Sequence, residues 1–149
     1  MSILIDKKTR VLIQGITGVE GSRACREMLK YGTKVLAGVR PGAGGESVEG
    51  VPVYDTVEEA LKHHPKINTS LIIVPAKSTK DAALEAIFAG IPLINILTEY
   101  VPPIDSSIIV AWAQKYKVRV VGCSSIGIIS PGKSKVGSIG SAEIIKMFK

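Results

Sequence analysis

A doubly wound, mostly parallel α/β sheet is the fold this sequence predicts, on three observations. Short apolar runs alternate with helical patterns along most of the chain. The first run, Val11–Ile13, passes through Gln14-Gly15-Ile16-Thr17-Gly18-Val19-Glu20-Gly21 into a helical pattern at Ser22–Tyr31. That strand, glycine turn and helix present unpaired N–H groups to a phosphate at a helix N-terminus. The composition, 46% hydrophobic but only 5% aromatic with 15 glycines, suits a sheet covered by small-residue helices. It does not suit a nucleic-acid reader that stacks bases on aromatic rings.

In chain order, Arg10–Gln14 reads as the first strand and Glu20–Tyr31 as the first helix, stopped by Gly32. Lys34–Val39 is the second strand, and Arg40-Pro41-Gly42-Ala43-Gly44-Gly45 is a loop that neither strand nor helix tolerates. Val51–Tyr54 is a short strand. Thr56 caps the next helix, and Glu59 completes a capping box. That helix ends near His63-His64-Pro65, where the two histidines read as a solvated helix end. Leu71–Val74 is a buried parallel strand by its unbroken apolar character, closed by Pro75. Ser78 or Thr79 caps a helix over Asp81–Ala89, ended by Gly90. Pro92–Leu97 is a strand. Asp105 or Ser106 starts a helix to Tyr116, and Val118–Val121 is the last strand. The tail reads as loop followed by a short helical piece, Ala142–Phe148.

In such a sheet a ligand lies over the carboxyl ends of the strands. Five loops are therefore expected to converge: Gly15–Gly21, Arg40–Gly45, Val74–Ser78, Leu97–Glu99 and Gly122–Gly127. The turn has the spacing G-x-x-G-x-x-G, not the dinucleotide pattern G-x-G-x-x-G. Gly15 suits the tight turn, Gly18 lets a ligand approach the backbone, and Gly21 lets the helix pack close. The hydroxyl of Thr17 can donate to a phosphate oxygen. An NAD site wants an acid at the end of the second strand, but this strand ends in Val39-Arg40-Pro41. An arginine there suits a ribose carrying an extra phosphate, as in NADP and coenzyme A (CoA).

The 149 residues are the size of one domain. The net charge of +6 and pI of about 9.4 favour an anionic partner. The basic residues are scattered, which argues against nucleic acid. Cys25 and Cys123 lack metal-ligand or C-x-x-C spacing, as expected of a reduced, cytoplasmic protein. Asp6, Lys7 and Lys8 interrupt the first apolar residues, so no signal peptide is expected, and no apolar run is long enough for a membrane span.

Several segments together resemble the N-terminal half of the succinyl-CoA synthetase (ADP/GDP-forming) alpha subunit. They are V-L-I-Q-G-I-T-G-V-E-G at 11–21, Pro41-Gly42-Ala43-Gly44-Gly45, Gly50-Val51-Pro52-Val53-Tyr54, Ile73-Val74-Pro75-Ala76, Leu97-Thr98-Glu99 and Ile129-Ser130-Pro131-Gly132. The resemblance extends to about Gly137. It implies a Rossmann-like CoA-binding domain in which Thr17, Gly18, Val19 and Glu20 hold the CoA phosphates. The loop at Ala43 and Leu97-Thr98-Glu99 would complete the pocket, with Val74-Pro75 beside the adenine or pantetheine.

The departures from that family are specific. Its P-G-K-G-G loop carries a lysine where Ala43 stands, and Arg40 and Lys77 are expected to restore the charge. Its G-P-N-C-P-G loop reads Gly122-Cys123-Ser124-Ser125-Ile126-Gly127 here. Its second domain, which bears the histidine phosphorylated in catalysis, is expected to be absent, and His63 and His64 are not expected to replace that histidine. The expected function is therefore a single CoA-binding domain, residues 1–149, without complete ligase activity alone and with no catalytic residue or metal site of its own. One alternative is a working acyl-CoA ligase subunit that acts with succinate, CoA and a nucleoside triphosphate. It would need a beta-like subunit, or separate chains for the phosphohistidine domain and nucleotide site. The other alternative is an NADP-binding redox domain.

Overall fold

Seven strands form one sheet in the order β3-β4-β2-β1-β5-β6-β7 in the computed structural model, which describes residues 2–140. The helical piece expected at Ala142–Phe148 lies outside the described residues. The strands are β1 (Arg10–Gln14), β2 (Lys34–Val39), β3 (Ser47–Val48), β4 (Val51–Tyr54), β5 (Thr69–Ile72), β6 (Leu93–Ile96) and β7 (Arg119–Val121). All neighbours are parallel except β3 and β4. The helices are α1 (Val19–Tyr31), α2 (Val57–His63), α3 (Ala76–Phe88) and α4 (Pro103–Tyr116).

Strand alternation divides the core in two. Leu12, Ile72, Ile94 and Ile96 face one side, where α2, α3 and α4 pack through residues such as Ala60, Ala83 and Ile109. Val11, Ile13, Leu71 and Leu93 face the other, under Ala24 and Met28 of α1. The chain leaves β1 for β2 on one side and joins β5 to β6 on the other. The sheet's direction therefore reverses between β1 and β5, where a crevice opens at the strand ends.

The tail read as loop instead contains an antiparallel hairpin, β8 (Gly127–Ser130) and β9 (Ser134–Gly137). It covers the sheet beside α1, where a further helix would otherwise lie. Thr33 Oγ1 donates to Lys135 O at 2.7 Å, and Lys135 N–H donates back to Thr33 Oγ1 at 2.9 Å. Lys135 is 1% exposed, and its ammonium meets Glu27 at 3.3 Å and the Gly140 carbonyl at 3.2 Å. A polar stretch such as Ser134-Lys135 carries no strand pattern of its own; these tertiary bonds make it one.

Two helices begin earlier than expected, for one reason. Pro75 stands at the cap of α3 and Pro102 at that of α4, neither helix having a side-chain cap. Proline's fixed φ suits a helix entry and its missing N–H costs nothing there. β5 correspondingly lies at Thr69–Ile72, two residues before the expected Leu71–Val74, because Ser70 donates to the buried Gln14 Oε1 at 2.7 Å.

The capping box at α2 is present in altered form. Thr56 Oγ1 accepts from Glu59 N–H at 3.1 Å, but Glu59 reaches back to Asp55 N–H at 3.2 Å. His63 and His64 are not merely a solvated helix end. Both pack on Tyr54, His63 by stacking at 5.2 Å and His64 through Nε2 at 3.0 Å from the tyrosine hydroxyl. Burial pushes the Cys25 thiol up to about 11, helped by Glu49, so it behaves as an inert core side chain.

Candidate functional site

The turn after β1 is built on three glycines with different duties. Gly15 has φ +92°, and a Cβ there would lie 2.0 Å from Ile73 O. A Cβ on Gly21 would lie 2.0 Å from Gly15 O, so this glycine lets α1 start against its own turn. A Cβ on Gly18 would meet only Gly15 O, at an ordinary 3.5 Å. The fold therefore needs Gly15 and Gly21, while Gly18 leaves the surface above it open. The first bond of α1 runs from Ser22 N–H to Gly18 O. The N–H groups of Val19, Glu20 and Gly21 precede it and point outward at the positive end of the helix.

Two hollows meet at this turn. The first, about 590 Å³, is floored by Gln14, Gly15, Thr17 and Gly18. One wall is the end of β2, Val39-Arg40-Pro41; the other is Ser78, Asp81, Ala82 and Glu85 of α3. The second, about 690 Å³, is lined by Gly18, Val19, Glu20 and Gly21, by Leu97-Thr98-Glu99, and by Ser125, Ile126 and Ser138. Gly18, Ile73, Val74 and Pro75 belong to both and form the threshold between them. All five loops expected to converge touch this pair of hollows.

Hydrogen bonds hold the walls. Gln14 donates to Ala82 O at 2.8 Å, fixing α3 against β1. Glu85 Oε1 accepts from Val57 N–H at 2.7 Å, which ties α3 to the start of α2. Thr98 Oγ1 donates to Val74 O at 2.8 Å, and Ser124 N–H donates to Thr98 O at 3.0 Å. The loops after β5, β6 and β7 are thus tied in series.

Of the residues singled out in the sequence, Gly15, Thr17, Gly18, Arg40, Pro41, Val74 and Pro75 line the first hollow. Gly18, Val19, Glu20, Gly21, Val74, Pro75, Leu97, Thr98 and Glu99 line the second. Ala43 and Lys77 line neither. Ala43 is 2% exposed and packs into the core, because Gly42 and Gly44 N–H both fold over the Asp55 carboxylate, at 2.8 and 3.0 Å, and turn its methyl inward. Lys77 is exposed on the first turn of α3, one turn before Asp81 on the same side of the helix but outside both linings. Ser78 ends one of the five expected loops, whereas sequence reasoning missed the wall residues that follow it, Asp81, Ala82 and Glu85. With Ser78 they have i, i+3, i+4, i+7 spacing, a single helix stripe that is legible once α3 is started at Ala76 rather than Asp81.

Among the described residues no group of three or more His, Cys, Asp or Glu could hold a metal ion. None of the described helices is long and apolar enough to cross a membrane.

Comparison with known proteins gives the chain's family and fold. The chain is 47% identical over 137 residues to the succinate–CoA ligase (ADP-forming) subunit alpha 1 of Archaeoglobus fulgidus, covering 92% of this chain and 47% of that protein. It is 46% identical over 138 residues to the ADP-forming sulfoacetate–CoA ligase subunit SqwL of an Acholeplasma species, covering 93% of this chain and 46% of the relative. The chain thus spans about half the length of these relatives. In three dimensions it superposes on the ATP citrate lyase of Methanothrix soehngenii, whose structure was solved with citrate and coenzyme A. The TM-score is 0.86 at 21% identity, over 99% of this chain and 26% of the lyase, and it establishes the shared fold. Residues 6–100 match the family described as the CoA binding domain, and with that match covering more than half of its length the chain belongs to the CoA-binding domain family.

Proposed function

We propose that these 149 residues form the cofactor-holding domain of an acyl-CoA ligase subunit, with coenzyme A laid across both hollows. The 3′-phosphoadenosine occupies the hollow beside Arg40. The diphosphate crosses at Gly18, against the N–H groups of Val19 and Glu20 and the Thr17 hydroxyl. The pantetheine arm passes between Val74-Pro75 and Leu97-Thr98-Glu99. The observation that carries this reading is the shared threshold at Gly18, Val74 and Pro75: one elongated, anionic ligand fits two joined hollows better than two separate ligands do. Arg40 enters none of the ion pairs among the described residues, which leaves it available to a phosphate.

The chain's two histidines, His63 and His64, pack on Tyr54 away from both hollow linings, so this reading assigns them no chemistry. Phosphohistidine chemistry would come from another domain or chain, and the nucleotide site from a beta-like subunit. Acyl transfer through an activated phosphate requires both parts together. The two free cysteines suit a reducing, cytoplasmic setting.

Calorimetric titration tests the proposal. CoA is expected to bind and NADP not to, and a chain that binds NADP but not CoA would overturn it. Incubated with succinate, CoA and either ATP or GTP, the 149-residue chain is expected to form no thioester above background. Thioester formation that tracks the purified chain would show that it carries its own catalytic parts.

A further inference from the structure

We infer that Asp81 reads the base of the bound nucleotide, accepting a hydrogen bond from the amino group of adenine and so excluding a base with a carbonyl in that place. The inference rests on the CoA reading above and adds the residue that chooses the base.

The first hollow has opposite charge on its facing walls, Arg40 at the end of β2 and Asp81 on α3. Of the other polar side chains in this lining, the hydroxyls of Thr17 and Ser78 are neutral, and Gln14 and Glu85 are already engaged. Gln14 donates to Ala82 O and accepts from Ser70. Glu85 is held by Val57 N–H. Lys80, next to Asp81 in sequence, pairs instead with Asp105 of α4 at 3.7 Å and does not neutralise it. Asp81 itself is exposed and enters none of the hydrogen bonds or ion pairs among the described residues, which leaves a free carboxylate facing the ligand space.

A carboxylate repels phosphate and attracts donors. The phosphates therefore belong at the Arg40 wall and the start of α1, and a neutral donor belongs at Asp81. The 3′-phosphoadenosine end of CoA has two such donors, the amino group of adenine and the ribose 2′-hydroxyl. The 2′-hydroxyl is adjacent on the ring to the 3′-phosphate, so a carboxylate bonded to it would face that dianion at close range. The amino group projects from the far edge of the base, away from the phosphates. It alone satisfies Asp81 without that repulsion.

Titration of CoA, its deaminated hypoxanthine analogue and 2′-deoxy-CoA into wild type, Asp81→Ala and Asp81→Asn tests this. Wild type is expected to prefer CoA over the hypoxanthine analogue by roughly tenfold or more, the usual scale for a hydrogen bond to a charged group. Asp81→Ala should erase the preference. Asp81→Asn, which keeps the shape should the alanine variant not fold, should erase or reverse it, because its amide can donate to the carbonyl of hypoxanthine. The penalty for 2′-deoxy-CoA should be the same in all three proteins. A preference for CoA that survives in the folded variants, or a wild type that binds both bases alike, overturns the role of Asp81. A 2′-deoxy penalty that disappears with Asp81→Ala overturns it too, by moving the contact to the ribose. A wild type that binds no CoA at all is a different failure, that of the reading beneath.

Discussion

The hollow on the β2 side of Gly18 carries a cation, Arg40, whereas the hollow on the β6 side is lined, among the described residues, by no lysine or arginine. The second offers instead backbone, the apolar side chains of Leu97 and Ile126, the hydroxyls of Thr98 and Ser125, and the carboxylates of Glu20 and Glu99. The two also differ in construction. The first is cut between a sheet edge and the rigid face of α3, while the second is framed by loops that hold one another through Thr98 and Ser124. On the proposed reading this asymmetry would orient CoA, its phosphate-rich end attracted to the cationic first hollow and its long neutral arm laid in the second.

Replacing Gly18 with valine is the harshest break, because it closes the threshold that both hollows share. CoA affinity is expected to fall at least a hundredfold while the protein still folds, at about 1 kcal/mol of capping cost. Gly21→Val is the contrast. It drives a side chain into the Gly15 carbonyl and should lower the melting temperature sharply. Unchanged CoA affinity in folded Gly18→Val would sink the site assignment.

Arg40→Ala should remove the charge that distinguishes the first hollow. A loss of roughly tenfold in CoA affinity is expected, with a flatter salt dependence, since charge-assisted bonds are about twice as strong as neutral ones. Dephospho-CoA, lacking the 3′-phosphate, should bind wild type and variant alike. Equal CoA binding across a salt series would remove Arg40 from the phosphate site.

Thr98→Val tests the second hollow alone. It removes the bond to Val74 O and should weaken CoA several-fold, while adenosine 3′,5′-bisphosphate, which has no pantetheine arm, should bind as before. If both ligands weaken equally, the division of the ligand between the hollows is wrong. Lys77→Ala should matter least, within about twofold, because an exposed charge outside both linings acts only through a screened field. A loss as large as that of Arg40→Ala would mean that α3 presents Lys77 to the ligand after all.

Where an element is marked by its own residues, the sequence reading and the structure coincide. β1, β2 and β4 lie where their apolar runs place them, between glycine and proline boundaries, and Gly32 ends α1 with φ +101°. The glycine turn and the convergence of five loops were legible because parallel strands put all their carboxyl ends on one edge. Boundaries shifted where a residue has two local meanings. Pro75 ends a strand and equally starts a helix, and that shift hid the stripe from Ser78 to Glu85.

The alternation of strand and helix, the turn at Gly15–Gly21 and the family are each written in residues near one another along the chain, so local patterns suffice for them. Which residues line the two hollows depends on contacts between distant parts of the chain. The carboxylate of Asp55 turns Ala43 into the core. The buried bonds of Thr33 and Lys135 make a strand of a polar segment and lay a hairpin over the sheet. The seat of α3 on the sheet brings Asp81 into the lining of the hollow, while Lys77, one turn earlier, lies outside it. Each of these depends on a partner 11 to 102 residues away, or on the angle at which a helix meets the sheet, and no local pattern carries that information.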